Sequence, residues 1–271
     1  MLTSSRLGTI ARYTEPAPMS IHATPLSSSS LALMREADVV SARFLGMAGV
    51  ATLLLVLGGV MQTLPGVAGL LLFTGLVVAF KRRLAGSHPY PRLGVANRIT
   101  LARAGVACLI AGRALDAAPL GTAERWMLVV LAGAALLLDG TDGWAARRQG
   151  LASTFGARFD MEIDAFAIAV LAITAVKAGA APCWVLTIGA MRYLYVGAGR
   201  LFPVLRRPPP ARAFADRRRK AIAVVQSLAL LCSLAPATPP NCAAATCALA
   251  LGLLVYSFAA DIVMQQRAPR G

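Results

Sequence analysis

The sequence predicts an all-α, polytopic membrane protein: a six-helix unit preceded by an additional transmembrane hairpin, about eight spans in all. Three observations lead there. Hydrophobic side chains make up 57% of the 271 residues and charged ones only 14%, where a soluble domain carries about 25% charged residues. The apolar residues come in continuous blocks rather than alternating, which favours helices over a strand barrel. Basic residues fill alternate loops between the blocks, the charge pattern of a membrane protein with a fixed orientation. Together these exclude a soluble globular enzyme, a disordered chain and a disulfide scaffold.

Residues 1–44 are rich in Ser, Thr, Pro and Arg and read as a flexible cytoplasmic tail. Apolar segments follow near 45–63, 66–80, 99–115, 126–141, 161–179, 182–200, 220–236 and 242–263. Several are shorter than the roughly 20 residues that cross a hydrocarbon core, so their polar ends extend the helices. The first two, joined through Pro65 and Gly66, form the additional hairpin (45–84). Residues 85–98 are a juxtamembrane linker, interrupted by Pro89 and Pro91. The six-helix core spans 99–264, and 265–271 end the chain in a second cytoplasmic tail.

Lys81, Arg82, Arg83, Arg92 and Arg98 precede the third segment. Arg147, Arg148 and Arg158 separate the fourth and fifth, and Arg217, Arg218, Arg219 and Lys220 open the seventh. The intervening loops near 116–124, 180–181 and 237–241 hold almost no positive charge. Both termini and all the basic loops therefore belong on the cytoplasmic face of an inner membrane. The net charge of +15 reads as topology and attraction to anionic lipid. Without a basic stripe interleaved with exposed aromatics, it does not read as a nucleic-acid surface. The five cysteines lie in or beside apolar segments and form no Cys-x-x-Cys pair, so they read as small apolar residues rather than zinc ligands.

Only 12 acids occur in the chain, and Asp139, Asp142, Asp160, Glu162 and Asp164 crowd one window between the fourth and fifth segments. Asp139 and Asp142 are spaced i, i+3 at the end of one helix. Asp160 and Asp164 are spaced i, i+4 at the start of the next. Four carboxylates can thus converge at the membrane surface, while Glu162 points elsewhere. Such a group cannot stay ionised without cations. All-oxygen ligands favour Mg²⁺, Mn²⁺ or Ca²⁺, and a pair of such ions suits in-line displacement at phosphorus. Gly143 and Gly156 open space beside the acids, Ala146 is small on the same face as Asp142, and Arg147 offers a planar fork for phosphate.

The pattern Asp139-xx-Asp142-Gly143-xx-Ala146-Arg147-x8-Gly156-xxx-Asp160-xxx-Asp164 resembles, in full, the signature of the CDP-alcohol phosphotransferases, integral-membrane enzymes of phospholipid synthesis. The resemblance covers about residues 95–264. Asn97, Ile99, Thr100 and Arg103 also look like the family's entry into its first core helix. It implies a dimeric six-helix enzyme with a cytoplasm-facing site, which passes the phosphoryl-alcohol part of a CDP-linked donor to a second alcohol and releases CMP. It further implies two ions, Mg²⁺ or Mn²⁺, held by Asp139, Asp142, Asp160 and Asp164. Asp164 would also be the base for the acceptor hydroxyl, and Gly143, Ala146, Arg147 and Gly156 would line the CDP site.

For the acceptor the residues say less. Arg192 lies inside the sixth segment, where a charge is costly unless paired or wet. Arg200 ends that segment and Lys220 opens the next. If they reach the site they bind an anionic acceptor, such as glycerol 3-phosphate or an inositol phosphate, and the donor is CDP-diacylglycerol. The same signature also serves transfer from a CDP-amino alcohol to diacylglycerol. An intramembrane prenyltransferase is disfavoured by the Gly-xx-Ala-Arg element. An ion transporter is disfavoured because its carboxylates usually lie near mid-membrane.

Overall fold

The computed structural model describes residues 28–149, 151, 153–201 and 213–267. Among them are eight α-helices and no strand. In order they are α1 Ser28–Leu57, α2 Thr63–Ser87, α3 Gly94–Leu115, α4 Thr122–Gln149, α5 Thr154–Lys177, α6 Leu186–Leu201, α7 Ala213–Leu234 and α8 Pro240–Arg267. A short 3₁₀ turn, Cys183–Val185, leads into α6. Four stretches are long and apolar enough to cross a membrane: Ser30–Leu57, Thr63–Leu84, Gly94–Leu115 and Pro240–Met264. The chain is therefore a multi-pass membrane protein. On the outer faces of α1 and α2, Leu53, Leu54, Leu57, Leu64 and Leu71 are all exposed, as side chains facing lipid would be.

Two segment boundaries differ from those expected. Helix α1 begins at Ser28, well inside the stretch read as a tail, and Leu33, Ala37 and Val40 on it are buried. Ser and charged residues hid this helix, because its buried stripe is narrow: the apolar residues touch α2 and α3 while Glu36 and Asp38 make ion pairs. The linker is also shorter than expected, since α2 runs to Ser87 and α3 starts at Gly94.

Local chemistry explains the turns. Gly59, at φ 69°, closes α1 in a left-handed conformation that costs glycine little. Gly179, at φ 64°, does the same after α5. The Ser153 side chain caps α5 by accepting a hydrogen bond from the Gly156 N–H at 3.0 Å. Helix α3 has no cap of its own. Instead Glu36 of α1 accepts from the Leu93 N–H at 3.2 Å and pairs with Arg98 at 2.6 Å.

The hairpin is part of the packed body. A Cβ on Gly69 of α2 would lie 2.7 Å from the Cys108 carbonyl oxygen and 3.2 Å from the Gly112 Cα of α3. The two backbones touch through small residues, the usual means of close helix approach in lipid. One apolar cluster joins α1, α2 and α3 to the start of α5, where Phe80 meets Phe155 and Phe159. The other joins α3, α4, α5, α6, α7 and α8. At the far end of the bundle, buried Arg113 pairs with Glu124 at 2.7 Å, and Asp116 accepts from the Gln62 N–H at 2.7 Å. Thus α1–α2 is tied to α3 at both ends, and α3 is held in place beside the acids of α4 and α5.

Candidate active site

Asp139 stands within α4, not at its end as expected, because the helix runs on for ten residues to Gln149; Asp160 and Asp164 stand one turn apart on α5. One carboxylate oxygen from each lies within 4.8 Å of the others. Their side chains are about a quarter to a third exposed (25%, 31% and 30%). Three of the four expected acids are therefore brought together across the α4–α5 connection. Helix α4 continues unbroken through Asp142, Gly143, Ala146 and Arg147, but the side chains of these four lie outside the described residues.

A guanidinium occupies the centre of the acids. Nη1 of Arg103, from α3, lies 2.6 Å from Asp139 Oδ1 and 2.8 Å from Asp160 Oδ1, and its Nη2 donates to Asp164 Oδ1. The Arg103 side chain is only 7% exposed. The sequence alone places Arg103 in the entry segment and does not connect it with the acids. The available signal was an arginine well inside an apolar span, which must find an anion.

Gly156 is where α5 passes α3. A Cβ there would come within 3.0 Å of the Asn97 side-chain oxygen, and Asn97 is buried, its Nδ2 donating to the Leu93 carbonyl at 2.6 Å. The glycine therefore lets the two helices approach at the acidic end. Glu162 points away from the cluster, as its spacing predicts, and pairs with Arg192 at 2.5 Å.

From the carboxylates a cavity of about 330 Å³ opens into the bundle. Arg103, Asp139, Asp160, Asp164 and Lys220 line its polar end. Beyond them the wall turns apolar, with Ala107 and Ile110 of α3, Ala132 and Leu136 of α4, Leu171 of α5 and Leu231 of α7. Ala132 lies seven residues before Asp139 and Leu171 seven after Asp164, so the apolar wall runs about 10 Å along the helices. Small side chains (Ala135, Ala167, Ala223) keep it open. Of the three residues expected at an acceptor site, Lys220 is on this wall. Arg192 and Arg200, on α6, are not among its lining residues. Asp261, buried on α8, is held by Arg218 and Arg219 of α7, which ties those two helices together near Lys220.

An all-oxygen donor set with a cation already seated among the carboxylates fits a hard divalent ion. Asp139, Asp160 and Asp164 could each offer an oxygen. No curated protein and no solved structure matches the chain. A family model does: that of the CDP-alcohol phosphatidyltransferases matches residues 93–258, which is more than half the chain and contains α3, the acids of α4 and α5, and Lys220. Members of this family depend on divalent metal. The acids and the polar end of the cavity all lie within the matched region, and the chain belongs to the CDP-alcohol phosphatidyltransferase family, enzymes that transfer substituted phosphate groups.

Proposed function

We propose that this enzyme transfers a phosphatidyl group from CDP-diacylglycerol to a phosphorylated polyol such as glycerol 3-phosphate, releasing CMP. The observation that carries the reading is the cavity: carboxylates and Lys220 at one end, an apolar wall leading away from them. A donor with a charged diphosphate and acyl chains has the same polarity along its length. The cationic Lys220 on the wall favours an acceptor that carries its own phosphate.

In this reading Asp139, Asp142, Asp160 and Asp164 hold two ions, Mg²⁺ or Mn²⁺, which when bound neutralise the diphosphate oxygens and stabilise the leaving phosphate. Gly143, Ala146, Arg147 and Gly156 line the CDP moiety. The acceptor hydroxyl oxygen attacks the phosphorus attached to the diacylglycerol. Asp164 takes its proton, and the bond from that phosphorus to the oxygen of CMP breaks. Lys220 holds the acceptor phosphate. Arg192 and Arg200 of α6 do not line the cavity, and Arg192 is paired with Glu162, so the acceptor contact is assigned to Lys220 alone. The enzyme is a homodimer of eight-span subunits in the inner membrane, with the acids on the cytoplasmic side, where a lipid donor enters sideways and a polar acceptor arrives from water.

The test is purified protein with CDP-diacylglycerol and a panel of acceptors, with CMP and lipid products read together. CMP and a phosphatidyl product formed with a phosphorylated polyol support the reading. Product formed only from a CDP-amino alcohol and diacylglycerol replaces it with the reverse lipid role, for which the same apolar wall would serve.

A further inference from the structure

We infer that Arg103 is the internal cation of the metal-free site, and that it competes with the divalent ions for the same carboxylates. This rests on the reading of the acids as a metal site, made above.

Three carboxylates with oxygens within 4.8 Å of one another repel strongly unless a cation stands among them. Arg103 meets that need in a way lysine could not. Its guanidinium stays charged at any working pH and has N–H groups spread over a planar fork. One nitrogen serves both Asp139 and Asp160, and the other serves Asp164. These three contacts are all to Oδ1 atoms, and one oxygen of each acid lies within 4.8 Å of the others.

An ion entering that centre displaces the guanidinium. Arg103 cannot retreat to bulk water, being 7% exposed, but it lines the cavity and can turn along its wall. There the diphosphate of a bound donor would be a new anionic partner. Arg103 thereby keeps the carboxylates assembled before metal arrives, at the cost of weaker metal binding. It acts as a positioning residue through the three acids.

The experiment measures Mn²⁺ binding by electron paramagnetic resonance, and metal-free Tm, on the detergent-solubilised full chain, for wild type, Arg103→Gln and Arg103→Lys. Arg103→Gln is expected to bind Mn²⁺ about tenfold or more tightly, the loss of one charged competitor, and to melt several degrees lower without metal, with the difference reduced or removed by saturating Mn²⁺. Arg103→Lys, which keeps the charge but loses the fork, should fall between. An Arg103→Gln protein recovered folded only when purified with Mn²⁺ also supports the inference. Unchanged or weaker Mn²⁺ binding in both variants overturns it while leaving the metal site standing. A wild-type chain that binds no Mn²⁺ overturns the metal reading itself.

Discussion

At the scale of single residues, the acids divide by what they touch. Asp139, Asp160 and Asp164 share one centre, while Glu162, two residues from either α5 partner, turns to Arg192. Helical periodicity was enough to foresee that separation. It could not foresee Arg103, because an arginine some 57 residues from Asp160 in sequence becomes its neighbour only when α3 packs on α5. The partner of Arg192 was equally hidden: a charge inside an apolar helix announces that it needs an anion, without saying which. Asp139→Asn and Asp160→Asn should each weaken Mn²⁺ binding and abolish turnover, because a neutral amide is a poorer ligand for a hard cation. Asp164→Asn should abolish turnover while better retaining donor binding, if proton removal is its main task. Equal loss of donor binding in all three would remove the ground for a separate base. Lys220→Ala should raise the acceptor KM by about 10-fold or more, with the donor KM little changed, as for loss of one charged contact. An unchanged acceptor KM would assign Lys220 to topology alone.

At the scale of elements, the question is what holds α3 so that Arg103 and Asn97 face α5. The answer lies in the hairpin. Glu36 supplies the cap that α3 lacks, and Gly69 lets α2 lie directly on the α3 backbone. Gly69→Leu should destabilise the protein by about 1–3 kcal/mol, since its neighbours at closest approach are backbone atoms that cannot rotate away. Glu36→Ala should lower Tm by a few degrees through the lost cap and ion pair. Thermal melts in detergent check both, and wild-type melting of Gly69→Leu would contradict the packing described. Core helices were legible from apolar runs, and the shared face of Asp160 and Asp164 from their spacing. The start of α1 was not, because a helix burying only a narrow stripe against two neighbours has a mixed composition that resembles a polar tail. Nor was the role of Gly156 at the α3–α5 crossing, since a glycine in sequence does not reveal which side chain stands opposite.

Over the whole molecule, charge and apolar packing describe one arrangement. Basic residues crowd the ends of the helices where the acids meet, while the opposite end is closed by Arg113, Glu124 and Asp116. That asymmetry predicts orientation. With native cysteines replaced, Ala237→Cys, in the α7–α8 connection, should react with a membrane-impermeant maleimide added outside the sealed membrane. Pro91→Cys, in the α2–α3 connection, should react only once that membrane is opened. The reverse pattern would place the acids outside the cytoplasm and remove the polar acceptor from reach.

The central claim is that these gathered acids carry metal-dependent phosphatidyl transfer. Its most direct measurement is CMP release from CDP-diacylglycerol by purified protein, with and without chelator, for wild type and Asp160→Asn. The account predicts acceptor-dependent release in wild type, lost on chelation and restored by Mg²⁺ or Mn²⁺, with none from Asp160→Asn under any of these conditions. Release that survives both the chelator and the substitution would contradict it.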